Sequence, residues 1–111
     1  MGTRCVLIVE NLDEYLASSV SYDGYPSYMF EEVLPNFNTH KLAYQLVEMG
    51  DASSLDTTLG KCTFYHRDRN EAPEDVMPRV YASRGEAMDA EEGEYTYFFG
   101  VTANKWKIIS L

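Results

Sequence analysis

Between Phe64 and Arg69 the chain reads Phe-Tyr-His-Arg-Asp-Arg, placing two guanidinium groups, an imidazole and two aromatic rings within six positions. A guanidinium fork matches phosphate oxygens two at a time, an aromatic face stacks on a nucleobase, and an imidazole titrates near neutrality. Tyr65, His66, Arg67 and Arg69 are therefore candidate ligands for an anionic, nucleotide-sized molecule. The competing reading pairs Arg67 and Arg69 with Asp68, Glu71, Glu74 and Asp75 in a solvated loop.

A second cluster is Tyr22-Asp23-Gly24-Tyr25-Pro26-Ser27-Tyr28, a tight turn leading into a helix start. Tyr22 and Tyr25 are placed to stack, Asp23 to accept from a base or ribose, and the helix start to offer N–H groups to an anion. Against this stands a plain strand-to-helix connection, with tyrosines packed over the core edge and Asp23 making the turn. A third feature is acidic. Eight carboxylates lie between Glu71 and Glu94 against Arg79 and Arg84. Glu86, Asp89, Glu91, Glu92 and Glu94 are candidates for a partner surface that imitates a phosphate backbone, or they form an ordinary solvated face.

Other chemistry is poorly supported. His40, His66, Cys5 and Cys62 share no metal-ligand spacing, so no metal or cofactor is expected. No G-x-S-x-G is present, and Cys5 in an apolar strand disfavours its thiolate. The letters His-Arg-Asp also open the kinase catalytic loop, but no Gly-rich loop, paired lysine or D-F-G accompanies them. A small phosphodiesterase needs a base and an acid at one phosphate. His66 with its arginines suits the base, yet nothing brings His40 or a tyrosine to it. The expectation is a binder, not an enzyme.

The elements that carry these residues read as follows. Arg4–Glu10 is a continuous apolar run, a strand buried on both faces, and Tyr15–Tyr22 is a weaker strand. Ser27 caps a first helix that Pro35 stops. Asn38 or Thr39 caps a second, with Leu42, Ala43, Leu46, Val47 and Met49 at helical spacing and Gly50 as its left-handed terminus. Residues 51–60 are turn-rich, Cys62–His66 is a strand, and residues 72–78 form a Pro-bounded loop. A short strand spans Arg79–Ala82. Ser83 and Glu86 make a capping box for a helix ending at Gly93. Tyr95–Phe99 and Lys105–Leu111 form a hairpin across Gly100–Asn104. The order predicts one α+β domain over residues 1–111, a mostly antiparallel sheet of about five to six strands with two to three helices on one face.

Composition narrows the class. The 111 residues carry a formal net charge of −9, which disfavours direct binding to nucleic acid or anionic membrane. No apolar run approaches the ~18 residues of a membrane span, and no secretory signal is evident. Two cysteines read as reduced, buried thiols, as in cytoplasm.

Tyr22–Pro26 (YDGYP), Met49–Leu55 (MGDASSL), Phe64–Glu71 (FYHRDRNE), Tyr95–Phe99 and Lys105-Trp106 together resemble a group of small, functionally uncharacterised tailed-phage proteins. That group often has a Cys-His pair before its DGYP turn; here Val20-Ser21-Tyr22 stand instead, so any role of that histidine is lacking. The resemblance implies a virus-encoded protein in host bacterial cytoplasm and implies no chemistry. By analogy with small phage accessory proteins, the expected function is host-defence antagonism by stoichiometric binding. The expected partner is a nucleotide signal or, alternatively, a nucleic-acid-binding host protein. A homo-oligomer is expected, since one small domain has little room for a pocket of the usual ~300–1,000 Å³.

Overall fold

The computed structural model describes residues 2–110, the side chain of Ser110 excepted. The first apolar run forms β1 (Cys5–Asn11), in which Cys5 through Val9 are all buried. It turns through Leu12 and Asp13 into antiparallel β2 (Glu14–Val20), with Cys5 opposite Val20 and Asn11 opposite Glu14. On the other side of β1 lies β6 (Tyr95–Gly100), parallel to it, and β7 (Lys105–Ser110) returns antiparallel to β6 as the expected hairpin. A central parallel pair joining residues 90 positions apart leaves no mark on local sequence pattern.

One face of this sheet carries Cys5, Leu7, Val9, Leu16, Val20, Tyr97, Phe99 and Trp106. Against it pack α1 (His40–Glu48), through Ala43, Leu46 and Val47, and two preceding helical turns. Thr39 caps α1, its hydroxyl accepting from Leu42 N at 3.3 Å, and Gly50 follows with φ 88°. The helix before it differs from expectation. Met29–Val33 is a wide, π-type turn entered through Tyr28 with no side-chain cap, so Ser27 does not cap it. Pro35 does not stop it. Leu34 keeps helical angles (φ −63°, ψ −28°), and Pro35 sits in the first turn of a 3-10 segment, Leu34–Phe37, where its missing N–H costs nothing.

The opposite face, Val6, Ile8 and Ala17, is covered by α4 (Arg84–Ala90) through Ala87. Half of its expected capping box is present: Ser83 Oγ accepts from Glu86 N at 3.1 Å, while the Glu86 carboxylate reaches one residue past the cap and accepts from Ala82 N at 3.2 Å. Helices thus lie on both faces, beyond the group expected on one. The apolar side chains on both sides of β1 require it.

The rest of the chain leaves the free edge of β2 and returns to it. β3 (Ala52–Ser54) runs parallel to β2 with Ala52 opposite Val20, and β4 (Thr63–Phe64) pairs antiparallel with β3. β5 (Arg79–Tyr81) pairs antiparallel with Tyr15–Ala17. The sheet order is β4-β3-β2-β1-β6-β7, with β5 also on β2: a mixed, mostly antiparallel α+β sheet. Between the two strands that share the β2 edge, the Asp51 carboxylate accepts from Ser19 N at 2.9 Å and continues the ladder. The expected strand Cys62–His66 is corrected. After two strand residues the chain coils into α2 (Tyr65–Arg69), which Asn70 ends in the left-handed region (φ 56°). A short α3 (Pro73–Val76) follows within the expected loop.

Candidate functional site

Because β3 pairs beside the end of β2, the start of the YDGYP cluster comes close to residues 64–69. Ser21 N donates to Ala52 O and Tyr22 N to Ser53 O (3.0 and 2.9 Å). The start of α2 lies against this junction: the Tyr65 and Ser21 hydroxyls are 2.8 Å apart. One turn on, the Arg69 guanidinium lies 5.2 Å above the Tyr65 ring and donates to Ser53 Oγ at 3.4 Å. Ser21, Ser53, Tyr65 and Arg69 thus form a surface platform; Tyr22, 51% exposed, adjoins it through its backbone bond to Ser53, with its ring against Gly2. Nothing in the sequence marks Ser21 or Ser53; a serine in a polar stretch carries no signal until a strand places it.

Within this platform the two arginines part company. Arg67 grips Asp68 through Nε and Nη2 (both 2.9 Å), donates to the carbonyls of Leu59 (3.0 Å) and Cys62 (2.8 Å), and covers the Phe64 ring at 5.0 Å. Hydrogen bonds from Arg67 and from Phe64 N hold the Asp68 carboxyl below the usual carboxylate range. Arg67 therefore closes its own loop, as the solvated-loop reading has it, and has little left for a ligand. Arg69 makes no ion pair among the described residues.

His66 Nδ1 lies 2.8 Å from the Glu71 carbonyl. Since a carbonyl only accepts, Nδ1 carries a proton and Nε2 is the nitrogen left open. His40 is bound at the other end of the sheet, its Nε2 donating to Glu10 O at 2.8 Å. The two histidines share no partner among the described residues: His40 also packs against Tyr44 and Phe99, whereas His66 is held by Glu71. In the YDGYP turn, Asp23 takes φ 61° and the Tyr25 ring packs against Tyr28 at 6.2 Å. Among the described residues, neither Asp23 nor Tyr25 bonds to residues 64–71. The buried Cys5 and Cys62 are free thiols, and burial pushes both upward in pKa.

The acidic stretch also divides. Glu86, Asp89, Glu92 and Glu94 are exposed. Glu91 is corrected from a surface charge to an interior one: it accepts from Arg79 Nε (3.0 Å) and Nη2 (2.7 Å) and from the Tyr81 hydroxyl (2.5 Å). Arg79 in turn donates to both Asp51 oxygens at 2.9 Å. Burial raises the Glu91 carboxyl, but hydrogen bonds from Arg79 and Tyr81, with the Arg79 charge, outweigh it and hold the group below its usual range.

Compared with protein-family models, with curated proteins and with solved structures, the chain matches none.

Proposed function

We propose that the protein is a non-enzymatic antagonist of bacterial host defence that sequesters an anionic nucleotide signal stoichiometrically at the Tyr65–Arg69 platform and the adjoining Tyr22. The observation that carries this reading is the state of Arg69: its guanidinium lies over the Tyr65 ring and, among the described residues, pairs with no carboxylate, in a chain of net charge −9. A guanidinium so positioned keeps its N–H edge for phosphate oxygens. The exposed Tyr22 ring supplies a stacking face and His66 Nε2 a further polar contact. Asp23 and Tyr25, beside Tyr22 on the YDGYP turn, would meet the base or ribose. The phage setting rests on the resemblance of the YDGYP and FYHRDRNE segments. The platform is open to solvent, so we assign its closure to a second copy of the chain.

Isothermal titration calorimetry against cyclic and linear nucleotides tests the reading. Micromolar affinity that disappears in Arg69→Ala is expected, with the nucleotide recovered intact on ion-exchange chromatography. Absence of binding across the panel overturns it, and turnover of many equivalents that is lost in His66→Ala overturns the non-enzyme assignment.

A second reading keeps one observation in its favour. Glu86, Asp89, Glu92 and Glu94 are exposed, and no cation pairs with them among the described residues. Such a face suits an acidic inhibitor of a nucleic-acid-binding host protein. A salt-sensitive complex in host lysate, abolished by reversing Glu92 and Glu94 to lysine, would favour it.

A further inference from the structure

At the end of the sheet away from the platform, the face covered by α4 is left open beyond the first turn of that helix. Glu10 of β1, Tyr15 of β2, Phe98 of β6 and Lys107 of β7 stand on neighbouring strands there, and Arg84 opens α4 above them. With the turn after Gly100 they bound a cavity of about 270 Å³. The Tyr15 and Phe98 rings are stacked with centroids 6.2 Å apart. The Arg84 guanidinium lies 5.1 Å over Phe98, and Lys107 is the cross-strand partner of Phe98. Glu10 is oriented from two sides: Oε1 accepts from Val101 N at 3.0 Å and Oε2 from the Tyr15 hydroxyl at 3.4 Å. Among the described residues neither Arg84 nor Lys107 forms an ion pair with Glu10 or with any other carboxylate. Both signs of charge therefore line one cavity without neutralising each other.

The geometry points to a binding site for a small zwitterion of the α-amino-acid class. Its carboxylate is taken by Arg84 and Lys107, its ammonium by Glu10, and its side chain by the Tyr15–Phe98 wall. A plain anion would meet an uncompensated Glu10, and a plain cation would meet two cations. A molecule carrying both charges satisfies every group at once, and charge-assisted hydrogen bonds of this kind are the strong ones. The cavity falls just below the ~300–1,000 Å³ of ordinary small-molecule pockets, which suits an amino acid and not a nucleotide. The site shares no residue with the Arg69 platform, so the two stand or fall separately.

Amide correlation spectra of the full chain, titrated with each proteinogenic amino acid to millimolar concentration, test this. Saturable shifts at the Gly100, Val101 and Lys107 amides are expected for at least one of them. Its N-acetyl form and its methyl ester should each bind about tenfold more weakly, having lost one charged contact. Glu10→Gln, which keeps an acceptor for Val101 N, should erase the discrimination against the N-acetyl form. Lys107→Gln should reduce the discrimination against the ester. The proposal is overturned if no amino acid shifts these amides saturably. It is equally overturned if free acid, ester and N-acetyl form bind wild-type protein alike.

Discussion

The Tyr97 hydroxyl donates to the Gly24 carbonyl at 2.6 Å, joining the middle of β6 to the YDGYP turn across 73 positions of sequence. Both groups are buried, so the bond has no replacement from water. Tyr97→Phe is expected to cost about 1–2 kcal/mol, because the carbonyl loses its partner. Gly24→Ala should cost more: a Cβ there falls 2.7 Å from Cys5 Cβ, 2.9 Å from Cys5 N and 2.9 Å from Thr3 O, and backbone atoms cannot yield. Urea unfolding of the two variants measures both.

Leu12 is the first residue of the β1–β2 turn, with φ 57° and 87% of its surface exposed. With only its first central residue at positive φ, this two-residue turn has the pattern that favours glycine there. A leucine in the left-handed region carries a penalty of roughly 1–2 kcal/mol. Leu12→Gly should therefore stabilise the protein by about 0.5–1 kcal/mol, after the extra chain entropy of glycine in the unfolded state. A rise of a few degrees in Tm is the readout.

Stability should fall in acid through Glu91. Its folded pKa lies below the ordinary value of 4.5, so its contribution is complete above that value and is lost as pH drops through the folded one. Glu91→Gln should be about 2 kcal/mol less stable than wild type near neutrality, since it leaves Arg79 half paired. The gap should narrow on acidification to about pH 3, because wild type loses what the variant already lacks. Thermal melts of both proteins across that range decide it. A gap independent of pH would show that the Glu91 charge is not what matters.

Arg67→Ala and Arg69→Ala should fail in different ways. Loss of Arg67 removes one donor each from the Leu59 and Cys62 carbonyls and from Asp68, although Leu59 O keeps Cys62 N and Asp68 keeps Phe64 N. About 1 kcal/mol of stability is expected to go with them. Loss of Arg69 should leave the melting curve unchanged and remove nucleotide affinity. Calorimetry paired with melting curves on each variant separates the roles.

Elements whose signal is local are readable in the chain. β1 follows from five consecutive apolar residues, α1 from Thr39, its spaced apolar face and Gly50, and α4 from Ser83 and Glu86. What depends on distant partners is not. Ala52-Ser53-Ser54 has neither periodicity nor bulk, and becomes a strand only because Val20 lies beside it. Phe64-Tyr65 favours a strand by residue type, yet Asn70 in the left-handed region and the Tyr65–Ser21 contact hold Tyr65–Arg69 as a helical turn. The same limit governs the candidate site. Spacing cannot tell Arg67 from Arg69, because their difference lies in the carbonyls of Leu59 and Cys62 on one side and an open face on the other.

Asp51 and Arg79, 28 positions apart, meet at the edge of β2, and Asp51 N also bonds to Val76 O at 2.7 Å. Everything between them departs from β2 and comes back to it, like a leaf clasped at its stem. Opening the leaf withdraws Ala52, Leu55, Cys62 and Phe64 from the main core but leaves the β1–β2, β1–β6 and β6–β7 pairings in place, so it is a costly yet still sub-global unit. In hydrogen exchange, amides between the two stem residues should lose protection together and ahead of the central strands. Tyr65 and Arg69 ride on the leaf, whereas Tyr22 belongs to the body. An occupant bridging the two engages only the shut form, and its affinity would be read directly as slower exchange across the whole leaf.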